Sequence, residues 1–532
     1  MTVKQPDLDV LIVGAGFSGL YLIHKLRQIG LSCLALEAGE GIGGTWYWNR
    51  YPGARCDVPS FQYSFSFDKD LEQEWEWSER YAPQPEILDY AEHVAERFDL
   101  KRSIKLSTKV VSATFEEQNN TWSTTTESGD QYASRFVVFA TGCLSVPFAP
   151  TINGLENFSG PVYHTGKWPH EQVSFEGLKV GFVGTGSSGI QSLPIVAKEA
   201  AEVTVFQRTA NYSVPAHNSK ANPEVSKQTK ANYPELRELA KTTLSGVLTY
   251  PNTQSALEVP EEERTTVYEE RWADGGLPFL GAYSDIMTDL QANETASEFF
   301  KNKIRGIVKD PATAELLCPK FPLGGKRMCV DTDFYQTFNR NNVTLISLKE
   351  EPIECLSSNA VHTTNRAIEC DALVLATGFD AMTGALNAIE IKGKDGQTLK
   401  DQWASGPQTY LGLMVNGFPN LFTVTGPGSP SVFTNMLMAI EQHVDWITDC
   451  LEQMKTKGQT LIEAKQATQD EWGQEVQRAG NQFLRSETDS WYNGANIEGK
   501  AQVFMPYMAG LPAYRAICDE VASENYRGFS IT

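Results

Sequence analysis

The chain alternates short apolar, β-branched runs with glycine-rich turns and amphipathic stretches, a pattern that predicts an α/β fold. Asp9 to Val13 is the first such run. It leads into Gly14-Ala15-Gly16-Phe17-Ser18-Gly19, after which Leu20, Ile23 and Leu26 recur at helical spacing, so strand, glycine turn and helix are expected in succession. Ser32 to Leu36 reads as the next strand. From Ser107 to Tyr132 the pattern is β-like with turns, and it closes on Phe136-Val137-Val138-Phe139 followed by Ala140-Thr141-Gly142. Lys179 to Val183 reopens the same succession around Gly184-Thr185-Gly186-Ser187-Ser188-Gly189, with Val203 to Thr209 next. Between Pro223 and about Leu317 the glycine turns cease and charges become dense. There Phe300, Ile304 and Ile307 are spaced by four and three, while Pro260-Glu261-Glu262-Glu263 and Asp310-Pro311 read as helix starts, which predicts an inserted helical subdomain. Asp371 to Gly378 repeats the strand and Ala-Thr-Gly close. Ile440, Val444, Ile447, Leu451 and Met454 form one apolar stripe of a helix ending at Gly458.

At 532 residues the chain exceeds what one hydrophobic core usually supports. The architecture expected is two Rossmann-like dinucleotide-binding domains, for FAD and NADP, with the helical insert lodged in the second. The FAD domain takes residues 1–145 and 387–532, the NADP domain 152–215 and 331–380, and the insert 220–330. A net charge of −21 disfavours nucleic acid and anionic membrane surfaces as partners. The opening Met1-Thr2-Val3-Lys4-Gln5-Pro6-Asp7 lacks the apolar core of a signal peptide, and the first apolar segment is broken by glycines, so a cytoplasmic protein is expected. The nine cysteines include no Cys-x-x-Cys, which suggests neither a metal site nor a redox dithiol. Oligomeric state is left open, a monomer included.

Two phosphate loops differ in a way that bears on chemistry. Glycines let backbone approach a pyrophosphate, and the following helix N-terminus offers N–H groups and partial positive charge. Glu37 falls 23 residues after Gly14, where an acid hydrogen-bonds a ribose diol. At the matching offset from Gly184 stands Gln207, with Arg208 beside it, so nothing repels a 2′-phosphate and a planar cation is at hand; this favours NADPH on the second loop and leaves FAD for the first.

Just before the second loop, Phe158-Ser159-Gly160-Pro161-Val162-Tyr163-His164-Thr165-Gly166-Lys167-Trp168-Pro169 matches the pattern Phe-x-Gly-x-x-x-His-Thr-x-x-Trp-Pro at Phe158, Gly160, His164, Thr165, Trp168 and Pro169. On this motif, and on others from the first strand to the C-terminal tail, the chain resembles the class B flavoprotein Baeyer–Villiger monooxygenases, such as those acting on cyclohexanone and phenylacetone. The resemblance implies FAD held by Gly14, Gly16, Phe17, Ser18, Gly19 and Glu37, with Thr45, Trp46, Asp57 and Tyr63 beside the flavin and Arg55, Val110 and Met436 as further cofactor contacts. It implies NADPH held by Gly184, Thr185, Gly186, Ser187, Ser188, Gly189, Arg208, Thr209 and Lys326, with Trp491 folding over the nicotinamide. Arg327 would reach the flavin as the catalytic cation and Asp57 would orient it or modulate its charge, while His164 would have a structural or coupling role. The implied reaction runs from NADPH through reduced FAD and O2 to a flavin C4a-peroxide that attacks a ketone, giving an ester or lactone; sulfides are a further possible substrate. The loop Gly426-Pro427-Gly428-Ser429-Pro430-Ser431-Val432-Phe433 resembles the family's substrate-facing loop. Two rivals remain. One is a flavin monooxygenase that oxidises nitrogen or sulfur, against which the His-Thr-x-x-Trp-Pro ending argues; the other is a non-catalytic NADP- and FAD-binding redox sensor.

Overall fold

Val10, Leu11 and Ile12 are fully buried, an uninterrupted apolar run that only a strand covered on both faces requires. In the computed structural model they lie within Leu8–Val13, at the heart of an eight-stranded sheet. The structure describes residues 6–532, so the first five residues of the segment from which the lack of a signal peptide was read lie outside the described residues. Leu8–Val13 pairs in parallel with Cys33–Leu36 on one side and Gln131–Phe139 on the other, and Leu421–Thr423 also joins Gln131–Phe139 in parallel. Val110–Glu116 and Thr121–Thr126 continue the sheet antiparallel, and Glu390–Lys392 closes that edge. The sheet therefore draws its strands from both ends of the chain. Phe17–Gln28 and Met436–Lys457 pack against one another over one face; of the stripe in the second helix, Val444, Ile447, Leu451 and Met454 are 0–1% exposed, and Gly458 ends it in a left-handed conformation.

The second sheet has five strands, all parallel, in the order Val343–Ser347, Glu202–Gln207, Lys179–Val183, Ala372–Leu375, Val162–His164. The motif strand Val162–His164 thus forms an edge of the second nucleotide unit. Five helices, from Pro223–Ala231 to Pro311–Leu317, lie between two short strands, Ser213–Pro215 and Cys329–Asp331, which pair in parallel. The insert is consequently the crossover of a two-stranded parallel ribbon. Its aromatic core, with Tyr268, Phe279 and Phe300, also takes in Tyr212 and Tyr81 from outside it. No helix among the described residues is long and apolar enough to cross a membrane.

Two connecting segments join the units and pair with each other: Phe148 N–H donates to Gly378 O (2.9 Å) and Asp380 N–H to Val146 O (2.9 Å). His164 clasps both. Its Nδ1 accepts from Gly166 N–H (2.9 Å), which leaves the proton on Nε2 to donate to Phe148 O (3.1 Å), with Thr377 Oγ1 also 3.1 Å away. Burial holds this imidazole below the usual histidine range, in keeping with a neutral ring.

Gly160 sits where no side chain fits, because a Cβ there would lie 2.1 Å from Asp371 O, at the entry to the strand Ala372–Leu375 that the motif strand pairs with. Gly160→Ala is expected to destabilise the protein by about 1–3 kcal/mol, the usual cost of overpacking, and to lower the thermal midpoint. Calorimetry checks this; a midpoint equal to wild type would show that the motif strand can shift freely.

Candidate functional site

Each phosphate loop is built against the Ala-Thr-Gly segment that closes its own sheet. Gly14 (φ +108°) would place a Cβ 2.7 Å from Ala140 O, and Gly184 (φ +107°) 2.4 Å from Ala376 O, so both turns need glycine for conformation and for space. The helices that follow, Phe17–Gln28 and Ser187–Glu199, start at Gly16 and Gly186 with no side-chain cap, leaving their first N–H groups for a ligand. A Cβ at Gly186 would meet open space, and one at Gly16 would lie 3.3 Å from Gly44 Cα. These backbone cradles fit the phosphates of two dinucleotides.

Glu37, 5% exposed, braces the first loop: Oε2 accepts from Ala15 N–H and Oε1 from Gly39 N–H, both at 2.8 Å. Each oxygen keeps a lone pair for a further donor. Thr45 and Trp46 open a short helix, and Trp46 Nε1 donates to Tyr63 OH (3.1 Å) while Phe17 meets the Tyr63 ring edge-on. Burial pushes the Tyr63 phenol well up. Val110 is buried in the core beside Val13 and Leu36, and Met436 begins the long helix, packed beside Tyr492 and Cys143. Arg55 pairs with Glu79, donates to Tyr81 O (2.8 Å), and lines a cleft of about 350 Å³ with Gln191, Lys198 and Lys220.

In the second loop, Thr185 Oγ1 donates to Gln207 Oε1 or Thr209 O, each 3.2 Å away, and the Gln207 amide donates to Leu316 O (2.7 Å). The slot occupied in the first unit by an acid is thus filled by a satisfied neutral amide. Ser187 Oγ lies 3.3 Å from Cys329 Sγ, and Ser188 Oγ lies 3.1 Å from Thr165 Oγ1, which ties the motif to the helix start. Trp168 and Phe158 are buried, Trp168 against Tyr163 and Phe175. Arg208 is exposed at the strand end, and Lys326 lies near it over the Phe321 ring. Burial first, then the charge of Arg208 and, least, that of Lys349 hold Lys326 below the usual lysine range, against an opposing pull from Asp489 that exceeds the effect of Lys349. Lys349 is a residue that the sequence reading missed. It follows strand Val343–Ser347, where Ser347 pairs with Gln207 and Leu348 N–H donates to Gln207 O (2.8 Å), so it stands beside Arg208. Three cations gather beside one loop, an arrangement suited to a dianionic phosphate.

Arg327 and Asp57, 270 residues apart, form a two-point ion pair: Nε donates to Oδ2 (2.7 Å) and Nη2 to Oδ1 (2.9 Å). Nη1 donates to Val432 O (2.9 Å). Burial, the largest single influence, would lower Arg327, but the Asp57 charge and the hydrogen bonds to Asp57, with smaller help from Tyr492 and Cys56, together outweigh it and hold the guanidinium above its ordinary value. Of its five N–H donors, two remain without a partner among the described residues. Trp491 and Tyr492 follow in a turn capped by Ser490, their rings 4.1 Å apart, with Tyr492 buried against Phe433. The aromatic string of the first unit reaches the second through Tyr51 OH, which donates to Gln191 Oε1 (2.8 Å). A fixed cation with free donors therefore sits where the two nucleotide units, the insert and the loop 426–433 meet.

Comparison with known proteins bears on this arrangement. Residues 11–272 match the family model described as pyridine nucleotide-disulphide oxidoreductase, although all nine cysteines here are unpaired. Cyclohexanone 1,2-monooxygenase of an Acinetobacter species is 40% identical over 99% of this chain and 97% of its own length. Phenazine N-monooxygenase of Lysobacter antibioticus is also 40% identical, with the same coverage. Among solved structures, an oxidised steroid monooxygenase bound to NADP superposes with a TM-score of 0.94 at 49% identity, covering 98% of this chain and 99% of that one.

Because Arg208 is the larger of the two cationic influences on Lys326, Arg208→Ala is expected to raise the Lys326 pKa, and Lys349→Ala to raise it less. The pH dependence of acylation at Lys326 by an amine-selective reagent, followed by mass spectrometry, measures both. Profiles identical to wild type would show that the three cations do not share one field.

Proposed function

The chain belongs to the flavoprotein Baeyer–Villiger monooxygenases, and on that premise we propose that Arg327, oriented by Asp57, is the charged centre at which it converts ketones to esters or lactones. The reaction consumes ketone, O2, NADPH and a proton and yields ester, NADP⁺ and water. One oxygen atom enters the bond between the carbonyl carbon and its neighbour, and the other leaves as water with the two electrons of NADPH. FAD, when bound at the first loop, supplies the oxygen activation that side chains lack.

The observation that carries this reading is the Arg327 geometry. Oxygen insertion places negative charge on oxygen at the carbonyl carbon, and a guanidinium that cannot deprotonate stabilises it without reorganising. Asp57 fixes the plane of the group through two bonds, and Val432 O fixes its third edge, so the remaining N–H donors point in set directions. Asp57 also sets the net charge of the pair at zero, so the site presents directed donors more than bulk positive charge. Trp46, Tyr63 and Phe17 wall the first loop with rings that suit a planar ring system. Glu37 and the uncapped helix start would hold the FAD end, Arg208, Lys326 and Lys349 would hold the 2′-phosphate of NADPH, and Trp491 would cover the nicotinamide. His164 ties the two linkers and would so keep the second unit in one relation to the first.

A second reading, oxygen transfer to a ring nitrogen, is favoured by the phenazine N-monooxygenase, whose identity equals that of the cyclohexanone enzyme. Product analysis with a cyclic ketone and an N-heteroaromatic separates the two.

Arg327→Ala is expected to fold and retain FAD, since Asp57 is itself partly hydrated, yet to lose ester formation by roughly a hundredfold or more, the scale of losing one oxyanion donor. Arg327→Lys should recover only part, for want of the planar fork. Stopped-flow flavin spectra beside ester yield check this; wild-type yield from a folded Arg327→Ala would remove the residue from the reaction. Arg208→Ala should raise the KM for NADPH by roughly tenfold, the loss of one charge-assisted pair, and change that for NADH little. Steady-state kinetics with both cofactors check it, and equal losses would make Arg208 structural.

A further inference from the structure

Two arginines have almost no exposure, and the fold treats them oppositely. Arg237, 9% exposed, is fully engaged: Nε donates to Glu72 (2.9 Å), Nη1 to Gln62 O (3.2 Å), and Nη2 to Ser64 Oγ (2.7 Å). Arg485, 8% exposed, has no ion pair and no side-chain hydrogen bond among the described residues, and its buried Nε has no partner at all. A buried charge is ordinarily retained only when paired. The Arg485 guanidinium rests instead on aromatic faces, its carbon 4.4 Å from the Phe433 ring centre and 5.9 Å from that of Tyr492.

Its position narrows what completes it. Arg327 donates to the carbonyl of Val432, and Arg485 stacks on the ring of Phe433, so two guanidinium groups flank one dipeptide of the loop Gly426–Phe433. Asp57 neutralises only the first. Arg485 also lies beside the limb that carries Arg327, since a Cβ at Gly324 would come 3.5 Å from its Nη2, and the Arg327 charge acts on it. Burial, with Arg327 adding to it against an opposing effect of Tyr492, pushes the Arg485 guanidinium below the usual arginine range; an anion nearby would reverse that.

We infer that Arg485 is the recognition point for a carboxylate on the substrate, so that this chain converts ketones bearing an anionic group in preference to neutral ketones of the same shape. The inference rests on the reading that ketone reacts beside Arg327. A substrate whose carbonyl lies at Arg327 extends its far end along Val432 and Phe433, toward a planar fork that matches a carboxylate in two bonds. The carboxylate takes no part in bond making or breaking. Oxygen enters beside the carbonyl as before, and the ester product keeps the acid.

The test uses the holoenzyme with NADPH and two pairs of ketones matched in shape and differing in charge: 4-oxocyclohexanecarboxylate with its carboxamide, and 4-acetylbenzoate with 4-acetylbenzamide. Wild type is expected to favour the carboxylate in at least one pair by roughly tenfold or more in kcat/KM, the scale of one charge-assisted pair. Arg485→Met should cut the carboxylate value far more than that of its partner, mainly through KM, and Arg485→Lys should restore part. Equal conversion of carboxylate and carboxamide by wild type would overturn the inference without any variant. So would equal loss for both members in Arg485→Met with FAD retained, which would make Arg485 a support of the reacting centre. Ester from carboxamides alone sinks this inference and leaves the ketone reading intact, whereas no ester from any of the four sinks the ketone reading and this inference with it.

Discussion

The two-point bond between Asp57 and Arg327 is the contact on which the rest of the site depends. A charge-assisted pair of this geometry fixes both position and plane, and its members come from segments that meet only if the whole chain has folded. Asp57 follows the aromatic string of the first nucleotide unit; Arg327 lies where the insert returns to the strand Cys329–Asp331. The same guanidinium holds Val432 O, from the end of the chain that completes the first sheet. Three regions distant in sequence are thus registered by one side chain. Because a half-buried ion pair contributes modest stability, its value lies more in geometry than in energy.

Around this centre, the linkers set how the two units can move. The antiparallel contacts between residues 146–148 and 378–380 are few, and His164 adds bonds to both strands of that hinge from an edge of the second sheet. A neutral imidazole serves because it donates and accepts at once, on opposite sides of the ring. This explains in physical terms why the short motif contains a histidine, a glycine that nearly touches Asp371 O, and a tryptophan in the second core. Its residues secure a joint, and only Thr165, through Ser188, comes near a phosphate loop.

Much of the fold was legible because its signals are local. The strands, glycine turns and helices of both nucleotide units follow from periodicity within about thirty residues, and the stripe from Ile440 to Met454 appears as the buried face of one helix. Chain-distant neighbours were not legible. Lys349 becomes a partner of Arg208 only through pairing of Val343–Ser347 with Glu202–Gln207, two strands some 140 residues apart. The cover over Arg485 is of the same kind, since nothing around it in the chain tells that the ring of Phe433, from a distant loop, will lie against it. Arg55, assigned to the cofactor by resemblance, shows an ion pair with Glu79 that its own surroundings in sequence do not announce.

The insert, as the crossover of a two-stranded ribbon, has a consequence for how such a chain can diversify. Both glycine loops and both closing strands belong to the sheets, so the backbone of the two cradles lies outside the stretch between Pro215 and Cys329, while Lys326 and Arg327 are delivered by that stretch. Arg327 lies on the return limb of that crossover, as does Gly324, where a Cβ would come 3.5 Å from Arg485 Nη2. Changes among the helices from residue 223 to residue 317 therefore leave the backbone of both glycine turns in place and reach the site through the limb that carries Lys326 and Arg327. The architecture thus divides the labour: the sheets hold the phosphate cradles, and one spliced-in segment brings Lys326 and Arg327 to them.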